Sequence, residues 1–147
     1  MTDNERQRLA WSQLLSAHAL TLRVIEGKLK AAGQPPLAWY DLLLELERAG
    51  GEMRIGDLAE RLVVERYNMT RLLDRMSDDG LVERRPDPTD RRGALAVITP
   101  AGRARRADMW PHYRAAIDEA FSAVLTGVEA AALTATLRKV KAHLKRD

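Results

Sequence analysis

The feature that most constrains this chain is a change of period near its middle. In IGDLAERL, Ile55, Leu58, Ala59 and Leu62 fall on one face of a short helix. After Val63-Val64-Glu65, the run RYNMTRLLDRM puts Met69, Leu72, Leu73 and Met76 on one face of a second helix. Gly80 stops it, and the pattern turns to strand. Leu81-Val82-Glu83-Arg84-Arg85 reads as one strand and Ala94-Leu95-Ala96-Val97-Ile98 as its return. Pro86 to Gly93 between them is turn chemistry, a long loop tipped with arginine. Two short helices about three residues apart form a helix-turn-helix, and a hairpin directly behind it makes a winged helix. In such a unit the second helix fits the major groove of DNA, and the hairpin tip reaches along the backbone into the minor groove.

The flanks are helical. Trp11, Leu15, His18, Leu22, Ile25 and Leu29 recur at steps of four and three, which predicts one long helix over 4–31. Gly33 and Pro35-Pro36 end it. A second helix carries Trp39, Leu42, Leu43 and Leu46 and stops at Gly50-Gly51. After the hairpin, Thr99-Pro100 opens a helix with threonine as N-cap and proline at the first position. That helix is expected to run to about Val124, with a kink at Pro111, and a final helix carries Leu133, Leu137, Val140 and Leu144. The fold class is therefore mainly α with a small β-hairpin. The expected division is a dimerisation helix at 1–33, a winged helix-turn-helix domain at 34–100 and dimerisation helices at 101–147. The terminal stripes are too long for the winged helix to cover, so a homodimer that buries them is expected. It would set two recognition helices one DNA turn, ~34 Å, apart.

Charge agrees with this architecture. The net charge is only +3, but between Arg84 and Arg106 seven arginines face two aspartates. Arginine offers a planar fork of donors suited to phosphate and to guanine edges. Cysteine is absent, which removes disulfides, thiol nucleophiles and thiol redox sensing. With three histidines, of which His112 has only Asp108 four residues away as a helical partner, no metal site is expected and no cofactor either. No apolar run approaches the ~20 residues that span a bilayer, and MTDNERQRLAW has no apolar signal region, so no membrane association and a cytoplasmic chain are expected. No glycine loop for phosphate, nucleophile elbow, HExxH or supported acid pair argues for an enzyme. The competing classes are a regulator that works without ligand and a winged helix that binds proteins instead of DNA. The arginines of the wing speak against the latter.

The run LAERLVVERYNMTRLLDRMSDDGLVERRPDPTDRRGALAVITPAG resembles the signature region of the MarR family of transcription regulators, with LAERL, TRLLDRM, GLVERRPDPTDRR and ITPAGR as the matching pieces. The D-x-R of the wing, Asp90-Arg91-Arg92, is the most specific of these. The resemblance implies a homodimer on a double-stranded, pseudo-palindromic operator, usually a repressor, often released by a small aromatic or phenolic effector.

Read at 100° per residue, the second helix of the pair carries Tyr67, Arg71 and Asp74 opposite its buried face, with Asn68, Thr70 and Arg75 on the flanks. Asn68 suits adenine, Arg71 guanine or phosphate, and Arg66 a phosphate near the helix start. Glu65 there departs from the small N-capping residue usual in the family. The family pattern places the minor-groove arginine at Arg92, with Arg91 the second candidate and Asp90 holding the loop or orienting the guanidinium. Arg84 and Arg85 face phosphate or structural carboxylates. For the effector, the family's architecture implies a cleft near Trp11, His18, Arg23, Trp39 and Tyr40. The alternative is that the two tryptophans are core residues and His18 an interface histidine.

Overall fold

The helices and strands run in the order α1 (Asp3–Ala31), α2 (Leu37–Arg48), β1 (Glu52–Arg54), α3 (Ile55–Leu62), α4 (Arg66–Asp78), β2 (Val82–Asp87), β3 (Asp90–Ile98), α5 (Pro100–Ala120), a 3₁₀ turn (Ser122–Val124) and α6 (Gly127–Leu144). The structure, a computed structural model, describes residues 1–62 and 66–145. The connection Val63-Val64-Glu65, with the departure from the family at Glu65, and the side chains of Arg66 and Tyr67 lie outside the described residues.

The sheet has three antiparallel strands in the order β1-β3-β2, one more than the hairpin expected from sequence. Glu52-Met53-Arg54 is too short to display a period of two and becomes a strand only by pairing with Val97, Ala96 and Leu95. The hairpin also differs. β2 continues through Pro86 to Asp87, and β3 already begins at Asp90, so the long loop shrinks to Pro88-Thr89. Proline is admissible there because β2 is an edge strand and its missing N–H costs no ladder bond to a further strand.

Around this sheet the apolar faces of α2, α3 and α4 close a core of Leu42, Leu43, Leu46, Leu58, Ala59, Met69, Leu73, Met76, Leu81, Val82, Ala96 and Ile98, with Trp39, Met53, Ile55, Leu62 and Leu72 packed against it. Every apolar position that the periodicity marked on those three helices is in this cluster. Gly80 takes φ +75° at the end of α4, and the N–H of Leu81 returns to the Met76 carbonyl, a six-to-one bond that ends the helix and aims the chain into β2. Thr99 caps α5 as expected, its Oγ1 accepting the Gly102 N–H at 3.0 Å and itself donating to the Gly80 carbonyl at 2.6 Å.

The chain is built as two compact units, Met1–Ile25 with Arg114–Asp147, and Glu26–Tyr113. These bounds differ from the expected cuts at 33 and 100. The end of α1 belongs with the winged helix because Glu26 accepts the otherwise orphaned N–H of Leu37 at the start of α2, at 2.7 Å. The first part of α5 belongs there through aromatic contacts between α2 and α5, described below. α5 runs through Pro111 but stops at Ala120 instead of Val124. A Thr126–Glu129 capping box starts α6 soon after, and Val124 is left exposed. In the other unit, Trp11, Leu15 and Leu20 of α1 and Val128, Val140 and Leu144 of α6 are exposed. Among the described residues, no single helix is long and apolar enough to cross a membrane.

Candidate nucleic-acid interface

α4 is amphipathic in the sense the sequence demands. Met69, Leu73 and Met76 are fully buried, while Asn68, Thr70, Arg71, Asp74 and Arg75 are exposed. The polar set proposed for base and phosphate contact therefore lies on the solvent side of the helix, save Arg66 and Tyr67, whose side chains are outside the described residues. Arg84 reaches from β2 onto this helix. Its two terminal nitrogens divide between the Asp74 carboxylate at 2.7 Å and the Thr70 carbonyl at 2.9 Å. Of the two roles open to Arg84 in the sequence, phosphate or structural carboxylate, the carboxylate is the one occupied. Arg85 pairs with Glu83 at 3.1 Å, and Arg106 with Glu47 at 2.7 Å. Three of the seven arginines counted in the basic stretch are thus neutralised within the chain.

The wing turn is organised by a residue the sequence reading passed over. Asp87 is the only buried charged residue among those described. Its Oδ1 accepts the Thr89 N–H at 2.9 Å and the Thr89 hydroxyl at 2.8 Å. Its Oδ2 faces Nε of Arg54 at 2.9 Å, an ion pair by distance but not a well-aligned hydrogen bond. Arg54 also donates to Thr89 Oγ1 at 2.8 Å. The Thr89 N–H first, then its hydroxyl and the Arg54 guanidinium hold the Asp87 carboxyl below the usual aspartate range. The Asp87-x-Thr89 spacing is a local turn signal; the Arg54 contact had none, since Arg54 lies on the unrecognised strand β1.

Asp90 performs one of its two expected tasks. Its Oδ1 accepts the backbone N–H of Arg92 at 2.9 Å, so it holds the chain rather than the guanidinium. Arg91 and Arg92 are exposed and make no ion pair among the described residues. They sit at the start of β3, not at the tip of a loop, because the turn closed earlier.

The five effector candidates are not brought together within either unit. Trp11, His18 and Arg23 are exposed residues of α1 in the unit that contains Met1–Ile25. Trp39 packs against the winged-helix core, as the alternative reading had it, whereas Trp11 at 63% exposure is no core residue of this chain. Tyr40 is buried in an aromatic group that the sequence reading did not identify. Its ring stacks on Trp110 at 6.1 Å and meets Tyr113 edge-on at 4.9 Å, and Trp110 and Tyr113 touch each other at 5.9 Å. The spacing of those two residues, three apart on one helix, was the available signal. Beside them, burial and the nearby Glu26 and Glu45 raise the Asp41 carboxyl above its usual range. Burial, Asp41 and Tyr40 raise the Tyr113 hydroxyl. Asp108 and His112 are both exposed, and no group of three or more metal-ligating side chains occurs among the described residues.

Residues 34–93 match the profile of the MarR family. Over 104 residues the chain is 30% identical to the HTH-type transcriptional regulator MhqR of Bacillus subtilis, covering 71% of each protein. It is 49% identical to the transcriptional activatory protein BadR of Rhodopseudomonas palustris over 51 residues, 35% of this chain but only 29% of that protein. Among solved structures, AbsC, a MarR family transcriptional regulator from Streptomyces coelicolor, superposes with a TM-score of 0.84 at 28% identity, over 100% of this chain and 98% of its own.

Proposed function

This chain belongs to the MarR family of DNA-binding transcription regulators, and from that premise we propose that it works as a homodimeric repressor on a pseudo-palindromic operator in the cytoplasm and is released by a small aromatic effector. The family is one of regulators and not of enzymes. The observation that carries the DNA reading is the pairing, on one unit, of a helix whose solvent face presents Asn68, Thr70, Arg71 and Arg75 with a wing whose Arg91 and Arg92 have no carboxylate partner among the described residues. Asn68 reads adenine, Arg71 guanine or phosphate, and Arg92 enters the minor groove, where a narrow A·T-rich stretch concentrates negative potential. The exposed apolar residues on α1 and α6 support the dimer, which would cover them.

Selection from a pool of randomised duplexes tests the reading. The wild-type chain should enrich a two-fold related pair of half-sites with centres ~34 Å apart. Its affinity should fall steeply with salt, since each neutralised phosphate releases counterions. No enriched sequence and a flat salt response together would sink it.

The effector reading leans on Tyr40, Trp110 and Tyr113, which supply aromatic faces for a planar ring. Asp41, its carboxyl raised by burial and by Glu26 and Glu45, lies beside Tyr113, and the Arg106 guanidinium lies beside Tyr40, so polar partners for the hydroxyl of a phenol flank the rings. Release would follow from the phenol's different affinity for the two spacings of the recognition helices. Titration with phenol should quench Trp110 and weaken DNA binding together; quenching at constant DNA affinity would refute the switch.

A further inference from the structure

Arg54 is separated from the wing by α3 and α4, yet it is built into the wing's turn. We propose that Arg54 is a positioning residue for DNA binding: through Asp87 and Thr89 it locks the Pro88-Thr89 turn and so fixes where Arg91 and Arg92 are presented. The proposal rests on the DNA reading above and adds a residue that does not itself touch DNA.

The argument is one of compensation. Asp87 is a buried carboxylate whose side chain is 3% exposed. Oδ1 is satisfied twice by Thr89, whereas Oδ2 has no partner other than the Arg54 guanidinium. A buried carboxylate that loses its only counter-charge is strongly disfavoured, and the cheapest relief is for the turn to open and let water in. Arg54 further donates to Thr89 Oγ1, the same oxygen that donates to Asp87, so the three side chains form a closed ring of contacts. Directly after this ring come Asp90, whose side chain fixes the Arg92 backbone, and the two arginines themselves. With two of its three nitrogens engaged, Arg54 is spent on the turn, although its side chain is 56% exposed.

The test uses the full chain and the duplex that the wild type selects from the randomised pool. Arg54→Ala and Asp87→Asn should each weaken binding roughly tenfold, within the worth of the groove contact they disorder. The double variant should be no weaker than the worse single, because both break one ring. The slope of log affinity against log salt should stay at the wild-type value, since no phosphate contact is lost. An arginine that touched phosphate would lower it by about 0.9. Amide exchange at 89–92 should quicken in both variants while that of α4 stays unchanged, which a general loss of stability would not produce. Additive losses, a slope reduced by about one in Arg54→Ala, or wild-type binding by Arg54→Ala would each overturn the proposal. Should Arg54→Ala fail to fold, Thr89→Ala removes the shared hydroxyl without stranding a charge. It should quicken the same amides, and unchanged exchange would count against the ring. If the wild type selects no duplex, the DNA reading fails, while the amide exchange still decides whether Arg54 orders the turn.

Discussion

Arginines that look equivalent in the sequence divide sharply by what they touch. Arg91 and Arg92 have no carboxylate partner among the described residues, while Arg84 is spent on Asp74 and the Thr70 carbonyl. Arg92→Ala is therefore expected to cost ~1–3 kcal/mol of operator binding, the scale of one groove contact, and to relax the base preference at the position it reads. Filter binding to the selected duplex and to its single-base variants checks both. If Arg91→Ala shows the loss and Arg92→Ala does not, the register of the wing is off by one. Arg84 should behave differently. Without it, the Asp74 carboxylate stands uncompensated on the solvent face of α4, where phosphate would approach. Arg84→Ala should bind roughly tenfold more weakly (~1.4 kcal/mol), and Asp74→Asn in the same background should restore most of that loss. A double variant as weak as Arg84→Ala would mean that Arg84 contacts DNA itself.

At the scale of elements, two helices show the consequences of tight approach. On α2, Asp41 is held above the usual aspartate range by burial and by Glu26 and Glu45. A carboxyl raised in the folded chain is penalised increasingly as pH climbs from the unfolded value, about 3.9, and fully once pH exceeds the raised value; below about 3.9 the penalty vanishes. Asp41→Asn should thus melt higher than wild type at neutral pH and level with it near pH ~3, the difference opening as pH rises through the acidic window between. A difference that persists unchanged at the acid end would remove ionisation as its cause. On α5, Gly102 faces the Leu81 carbonyl oxygen so closely that a Cβ there would collide with backbone, with Ile98 and Leu43 also crowding it. Backbone cannot swing aside as a side-chain tip can, so Gly102→Ala should cost about 1–3 kcal/mol or more in urea unfolding. Full wild-type stability would show that α5 can shift away from the base of the wing.

For the whole molecule, the exposed apolar residues decide what must be covered. Trp11, Leu15, Leu20 and Val24 on α1 and Val140 and Leu144 on α6 face solvent in the single chain. Sedimentation should report twice the chain mass. Val140→Asp with Leu144→Asp should drive the chain toward the monomer and weaken operator binding by much more than tenfold, since each half-site then binds alone. A variant that stays dimeric and binds normally would move the interface away from α6.

The amino-acid sequence by itself determined the elements whose faces repeat over two turns or more. The apolar positions on α2, α3 and α4 were all legible, as were the N-cap at Thr99 and the polar face of α4, because helix period and cap chemistry are local. The family was legible for the same reason, its motif being continuous from LAERL to ITPAG. What escaped was decided by partners distant along the chain. β1 exists only as a neighbour of β3, and the wing closed at Pro88-Thr89 because Arg54, from that strand, compensates a buried Asp87. Tyr40 meets Trp110 and Tyr113, two residues that the sequence did not group with it. A periodic pattern says which side of a helix is buried; which side chain fills the space opposite, and which charge answers a buried carboxylate, is settled only when segments far apart in the chain are packed together.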